Sequence, residues 1–180
     1  EMVFIGGPSR AGKSTLARCL QDALKQQGKS SVILSLDGWL KPALERGPNV
    51  LERYDVPALL KLITSLVGRT HERAVTVPIY SKNNTELKHK IQKTIQPEDV
   101  LIFEGTIALH LAKSASSLLD AHSHLWYVTM DETLRKARVL AEYALRGKSS
   151  LEAEQIYVQR LADEIPYLEL DQSAATHMLN

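Results

Sequence analysis

Short hydrophobic runs alternate with helix-like patterns along this chain. The runs have the length of β-strands and lie at residues 2–5, 31–36, 100–103 and 125–130. In the segment 14–25, Leu16, Leu20 and Leu24 form one stripe, which predicts an amphipathic helix. Further helices are predicted at residues 56–67, 107–113, 133–146 and 150–162. This alternation is typical of an α/β fold in which a parallel sheet carries helices on both faces.

Three more segments add to this architecture. Residues 74–80 place Val75, Val77 and Ile79 on one face, which predicts an extended, partly exposed strand. Residues 81–93 are polar and rich in lysine, and they predict a loop or an excursion over the site. Residues 176–180 predict a short fifth strand.

A glycine-rich loop lies between the first strand and the first helix. Gly7, Gly12, Lys13 and Ser14 fit the pattern GxxxxGK followed by Ser or Thr. In that position backbone N–H groups and the positive end of the helix dipole converge on phosphate oxygens. The alternative is an ordinary glycine turn before a helix, but the context favours binding of a nucleoside triphosphate.

The pattern also predicts which loop residues do this work. The Lys13 ammonium can reach the outer phosphates, and the Ser14 hydroxyl can bind Mg²⁺. ATP and Mg²⁺ are therefore the expected ligands. The residues predicted to hold them are Gly7, Ser9, Arg10, Ala11, Gly12, Lys13, Ser14 and Thr15.

Two carboxylates follow predicted strands, at the edge of the sheet where the glycine loop lies. Glu104 ends the third strong strand and can hold Mg²⁺ or a water bound to it, although it could be an ordinary loop carboxylate. Asp37 ends the second strand and can accept a hydroxyl proton or help to hold the metal. The alternative is a turn, since Asp37-Gly38 is a common turn dipeptide. In open parallel sheets this edge forms the ligand crevice.

The predicted helix at residues 133–146 is basic and comes late in the chain. Phosphoryl transfer needs positive groups around the migrating phosphoryl group, often on a mobile lid. Arg138, Arg146 and Lys148 are the candidates, and a solvated basic face is the alternative.

Composition limits the remaining possibilities. The 180 residues carry a net charge of +1, which gives no sign of a partner that is nucleic acid or a membrane surface. Cys19 is the only cysteine, so an intramolecular disulfide is excluded and a cytoplasmic location is expected; its place beside the leucine stripe predicts packing. One domain, residues 1–180, is expected. Because the sequence opens at Glu1 and enters a strand at once, we expect a domain cut from a longer chain.

The ordered series of motifs resembles the uridine kinase, phosphoribulokinase and bacterial pantothenate kinase group of P-loop small-molecule kinases. After the glycine loop, residues 35–42 are similar to the Asp-containing segment, closest to the DGF form of pantothenate kinases. Residues 54–60 resemble the uridine-kinase segment FDxPxA. Residues 78–80 and 101–105 resemble the family's PxY and EG motifs, and residues 131–148 resemble its lid helix.

This resemblance implies a three-layer P-loop fold with a small extended acceptor-side excursion and a helical lid. It implies Asp37 as the catalytic base and Lys13, Ser14 and Glu104 at the phosphates and the metal. It also implies acceptor contacts from Asp55 and Tyr80, whereas the sequence around Asp55 equally fits a helix cap. Arg138 and Arg146 would close over the phosphates.

The chain departs from the family in two places. Uridine kinases continue after the PxY tyrosine with an aromatic residue, a His and an Arg, but this chain has polar residues at 81–86. The usual Arg-Asp pair of the lid is replaced by Ala141 and Glu142. We therefore expect an acceptor pocket unlike that of a standard pyrimidine nucleoside kinase.

The resulting hypothesis is an ATP-dependent kinase that phosphorylates a hydroxyl of a small polar metabolite, such as a nucleoside, a pantothenate-like acid or a sugar. A regulatory P-loop NTPase module and a nucleotide or polynucleotide-end kinase are the alternatives. A homo-oligomer, or a further domain in the full-length chain, is compatible with all three.

Overall fold

The computed structural model describes residues 1–80, 89–119 and 123–180. The strands are β1 (Met2–Gly6), β2 (Ser31–Ser35), β3 (Arg73–Ile79), β4 (His89–Ile95), β5 (Val100–Glu104), β6 (Ser123–Val128) and β7 (His177–Leu179). The helices are α1 (Lys13–Gln26), α2 (Val56–Leu66), α3 (Ala108–Ser114), α4 (Glu132–Leu145) and α5 (Ser150–Gln172). Within these described residues, no helix is long and apolar enough to cross a membrane.

Five strands form one sheet in the order β2-β5-β1-β6-β7, and every neighbouring pair is parallel. The side chains of β1 explain why both faces are covered. Met2 and Phe4 belong to one hydrophobic core, and Val3 and Ile5 belong to the other. The prediction of a three-layer α/β fold with a parallel central sheet is confirmed, including the short fifth strand.

The register of β5 determines where the polar strand ends meet. Glu104, the last residue of β5, is paired with Ile5 of β1 on one side and with Ser35 of β2 on the other. The glycine loop begins directly after β1, and Asp37 comes two residues after Ser35. The pairing therefore brings the loop, Glu104 and Asp37 to one edge of the sheet.

Strands β3 and β4 form a separate antiparallel pair. The strand predicted at residues 74–80 is confirmed, whereas the loop prediction is wrong for residues 89–93, which belong to β4. In β4 only Ile95 is buried, so no apolar alternation marks this strand in the sequence. Residues 81–88, the rest of that predicted excursion, lie outside the described residues.

Helices α4 and α5 pack together after β6. Both were predicted, but the predicted end of α5 at residue 162 is wrong, because the helix continues to Gln172 through Pro166. The buried side chains of Glu164 and Leu168 lie in this continuation, so its inner face is held by packing. The prediction that Cys19 packs is also wrong, since Cys19 is exposed on α1.

Gly38 marks the contact between the main sheet region and the β3–β4 pair. It lies in a short 3₁₀ helix, Leu36–Trp39, that also contains Asp37. A β-carbon at Gly38 would lie 1.9 Å from the carbonyl oxygen of Pro78 in β3. Only glycine allows this close approach, which holds the end of β3 beside Asp37.

Gly38→Ala should destabilise the protein because the backbone of β3 must move to admit the new methyl group. Overpacking of this kind costs about 1–3 kcal/mol, so chemical denaturation should show a reduced free energy of unfolding. Gly47→Ala is the comparison variant and should lose less stability, because the three atoms nearest to a β-carbon there belong to the exposed side chain of Glu52, which can move more easily than the backbone of β3. Equal stability losses in the two variants would contradict the proposed contact.

Candidate nucleotide and phosphoryl-transfer site

The glycine loop is curved by positive φ angles, which residues other than glycine rarely adopt. Gly7 has φ of +130°, and a β-carbon there would lie 2.3 Å from the carbonyl oxygen of Val128. Arg10 has φ of +68°, and Gly12, which precedes α1, has φ of +105°. Gly12 is the N-cap residue of α1 and makes no side-chain hydrogen bond to the helix start. The loop and the helix start thus have the form of an anion cradle built from backbone N–H groups.

Lys13 is the buried cation of this loop. Its side chain is on α1, the residue is 7% exposed, and its ammonium donates a 2.7 Å hydrogen bond to the carbonyl oxygen of Pro8. Burial lowers the pKa of Lys13, and the negative charges of Glu164, Asp37 and Glu104 act in the opposite direction. The negative charges of three carboxylates from different parts of the chain therefore act on one ammonium.

Ser14 and Glu104 form the candidate metal position. The Ser14 hydroxyl donates a 3.0 Å hydrogen bond to Oε2 of Glu104, which is buried at the end of β5. A hydroxyl and a carboxylate suit Mg²⁺, which usually completes its coordination with water and substrate phosphates. In the described ranges no group of three or more acidic, His or Cys side chains could hold a metal by itself. The residues fit a metal that is shared with a bound phosphate.

Asp37 lies at the exposed side of the site and is contacted by Tyr54. The Tyr54 hydroxyl donates a 3.3 Å hydrogen bond to Oδ1 of Asp37. Burial raises the pKa of Tyr54 well above its usual value, and the charge of Asp37 adds to this effect, so the phenol stays a donor. The two segments are also joined by their backbones, because Asp55 N–H donates to Trp39 C=O at 2.9 Å.

The two predicted acceptor residues lie on elements next to Asp37. Asp55 caps α2, and its Oδ1 accepts a 3.1 Å hydrogen bond from the N–H of Ala58. Asp55 therefore makes the helix-cap contact that the sequence offered as an alternative. Its role at acceptor hydroxyls stays a prediction. Tyr80 follows β3 directly and is half-buried, and its role also stays a prediction.

The lid helix contacts the loop through residues other than those expected. Glu142 bridges Arg10 of the loop and Arg146 of the lid, with an N–O distance of 2.5 Å to each guanidinium. Arg138 is exposed on α4, and its approach to phosphates stays a prediction. Arg135, one turn earlier and 1% exposed, donates to the carbonyl oxygen of Ser9 at 3.4 Å.

Glu164 of α5 reaches the loop and Arg160 of α5 contacts Glu164, and both residues were missed in the sequence. Oε2 of Glu164 accepts a 3.2 Å hydrogen bond from the N–H of Ser9, and Oε1 accepts a 3.4 Å bond from Arg160. Burial tends to lower the pKa of Arg160, but the charges of Glu164 and Tyr143 raise it overall. The available signal was the helical spacing of Glu164 to Leu168, which continues the inner face of α5.

Comparison with known proteins identifies relatives of this chain by sequence and by fold. No family model matches the sequence. A pantothenate kinase from Rhizobium rhizogenes is 30% identical over 162 residues, which are 75% of this chain and 48% of that protein. The chain spans between 35% and 53% of the length of the first curated relatives that it matches.

Two solved structures share the fold. A protein from Silicibacter sp. TM1040, named as a candidate fructose transport system kinase, has a TM-score of 0.72 at 19% identity, with 100% of this chain and 89% of that chain covered. A candidate uridine kinase from Bacillus stearothermophilus has a TM-score of 0.62 at 20% identity, with 99% and 88% covered. These matches and the sequence relatives confirm the resemblance to the P-loop small-molecule kinases, a group that includes pantothenate and uridine kinases.

Asp55→Ala should lower the free energy of unfolding by about 1 kcal/mol, because the N-terminus of α2 loses its cap. Asp55→Asn keeps an oxygen that can accept from the same N–H group and should retain most of the stability. Urea denaturation of the two variants measures the difference. Identical stability of the alanine variant and the unmodified protein would show that the capping contact contributes little.

Proposed function

We propose that this chain belongs to an ATP-dependent kinase that phosphorylates a hydroxyl of a small polar metabolite. The observation that carries the proposal is the meeting of the glycine loop, Glu104 and Asp37 at one edge of the sheet, where the Lys13 ammonium is buried and the Ser14 hydroxyl donates to Glu104. Phosphoryl transfer to an alcohol requires a loop that binds phosphate, a carboxylate that can hold Mg²⁺ and a carboxylate that can accept the hydroxyl proton. The glycine loop, Glu104 and Asp37 are proposed for these three parts.

Each part has a separate task in the proposed reaction. The loop N–H groups and Lys13 hold and neutralise the outer phosphates of ATP. Ser14 and Glu104 would hold Mg²⁺, which contributes positive charge at the phosphate oxygens. Asp37 accepts the proton of the acceptor hydroxyl, whose oxygen forms the new bond to phosphorus as the bond to ADP breaks. The hydrogen bond from Tyr54 orients the Asp37 carboxylate for this step.

The acceptor side is proposed to lie between the Asp37 segment and the β3–β4 pair. Asp55 and Tyr80 are the proposed contacts to acceptor hydroxyls, and Arg138 and Arg146 are proposed to approach the phosphates from the lid. The sequence relatives make a pantothenate-like acid the first acceptor to test, followed by nucleosides and sugars. Acceptor-dependent release of ADP supports a kinase, whereas slow ATP hydrolysis that ignores every acceptor favours a regulatory NTPase module.

Lys13→Ala should reduce phosphoryl transfer by about tenfold or more, because a charge that stabilises the β- and γ-phosphates is lost. The measurement is acceptor-dependent ADP release by the purified variant. Lys25→Ala, which removes an exposed lysine at the other end of α1, is the control and should keep normal turnover. Unchanged turnover in the Lys13 variant would refute a catalytic role for the loop.

Asp37→Asn should lower kcat by roughly a hundredfold or more, since a positioned general base contributes at least that much to proton transfer. The affinity for ATP should stay nearly constant, because the amide keeps the size of the side chain and the nucleotide is held elsewhere. Steady-state kinetics at saturating acceptor and ATP titration by calorimetry separate the two effects. A near-normal kcat would assign the base to another residue.

A further inference from the structure

The N–H group of Ser9 lies in the phosphate-binding loop, but it is bonded to a carboxylate of the same chain. Oε2 of Glu164 accepts this hydrogen bond at 3.2 Å, and Glu164 is 4% exposed. A carboxylate oxygen and a phosphate oxygen are both anionic acceptors that such a loop binds. Glu164 therefore lies where an anion is expected, and it reaches this position from the far end of α5.

The other oxygen of Glu164 contacts Arg160, one helical turn earlier on α5. Arg160 donates to Oε1 of Glu164 at 3.4 Å and to the Tyr143 hydroxyl at 2.8 Å. The charge of Glu164 also raises the pKa of Lys13, against the effect of burial. The Glu164 carboxylate thus supplies negative charge to two cations, the buried Lys13 and the half-buried Arg160.

The Ser9 side chain supplies an independent sign that this arrangement is incomplete. Its hydroxyl is buried and, among the described residues, has no hydrogen-bond partner. A buried hydroxyl without a partner is costly, and such groups generally bond to a ligand or water. Next to a backbone N–H group and a lysine, an additional anionic oxygen is the group that would satisfy it.

We propose that Glu164 is an internal substitute for a nucleotide phosphate, and that phosphate binding displaces it from the Ser9 N–H group. Displacement frees Arg160 to contact the phosphate, so that Arg160 becomes a substrate-binding residue for the transferred group. The nucleotide must then compete with a tethered carboxylate. This inference rests on the proposed function, because it assigns a phosphate ligand to the same loop.

The test is calorimetric titration of the full chain with Mg-ATP and, separately, with inorganic tripolyphosphate. Glu164→Gln removes the competing charge with little change in volume. Its dissociation constants for both ligands should fall about tenfold, the scale of one hydrogen bond to a charged group. Arg160→Gln should raise both constants by about tenfold or more. Glu154→Gln, which removes an α5 carboxylate paired with Lys136, is the matched control and should leave both unchanged.

A second variant and a second measurement distinguish the proposed effect on ligand binding from a loss of folding. Glu164→Asp keeps the charge near Arg160 but shortens the reach toward Ser9, and it should also bind more tightly than the unmodified protein. In thermal unfolding, Glu164→Gln should have a lower Tm without ligand and a larger rise in Tm with Mg-ATP.

The outcomes separate this inference from the proposed function. Unchanged or weaker ATP binding in both Glu164 variants, with binding by the unmodified protein intact, overturns the phosphate substitute and leaves the kinase proposal standing. If the Glu164 variants bind Mg-ATP more weakly but bind tripolyphosphate unchanged, Glu164 is assigned to the metal. This result also overturns the proposal that Glu164 substitutes for a phosphate. Failure of the unmodified protein to bind either ligand overturns both proposals.

Discussion

The arrangement of this site depends on one buried ammonium group. Moving a lysine charge out of water is expensive unless negative charge surrounds it, and the structure supplies that charge from three separate segments. Glu104 comes from β5, Asp37 follows β2, and Glu164 comes from α5. Each carboxylate has a partner or position of its own, and together they stabilise Lys13 inside the loop.

The sheet register is what allows the first two of these carboxylates to meet. Because β5 lies between β1 and β2, the ends of these three parallel strands reach the same edge of the sheet. The glycine loop follows β1, Glu104 ends β5 and Asp37 follows β2. The third carboxylate does not depend on the sheet. It depends on the unbroken course of α5, which passes through Pro166 and packs Leu168 into the core.

Strands, strand-end carboxylates and the glycine loop were predicted well, because each is encoded by residues that are contiguous in the sequence. Apolar runs mark strands, and a polar residue at the end of such a run marks the edge of the sheet, so Asp37 and Glu104 could be found without a structure. The glycine loop is a contiguous motif and was found for the same reason. The lid residues came from the basic character of the helix at residues 133–146 and from the resemblance, whereas the acceptor residues came from the resemblance alone. The roles of both sets stay predictions.

What escaped prediction has physical causes. Strand β4 is exposed over most of its length and buries only Ile95, and so it lacks the regular apolar alternation that signals a strand. Arg135 was missed because an arginine on an amphipathic helix is expected to face water, whereas here it packs against Tyr157 and the loop. Glu164 was missed because the proline two residues later indicates a helix end.

Ser9 is hydrogen-bonded to two helices. Its N–H group donates to Glu164 of α5, and its carbonyl oxygen accepts from Arg135 of α4. The two helices consequently meet on a single residue of the loop, and neither can swing away without breaking a bond there. The Ser9 amide proton is shielded from solvent while the helices are closed. Its rate of hydrogen–deuterium exchange, measured without nucleotide, would therefore report separation of α5 from the loop at a single backbone position, without a probe or label on the helix itself.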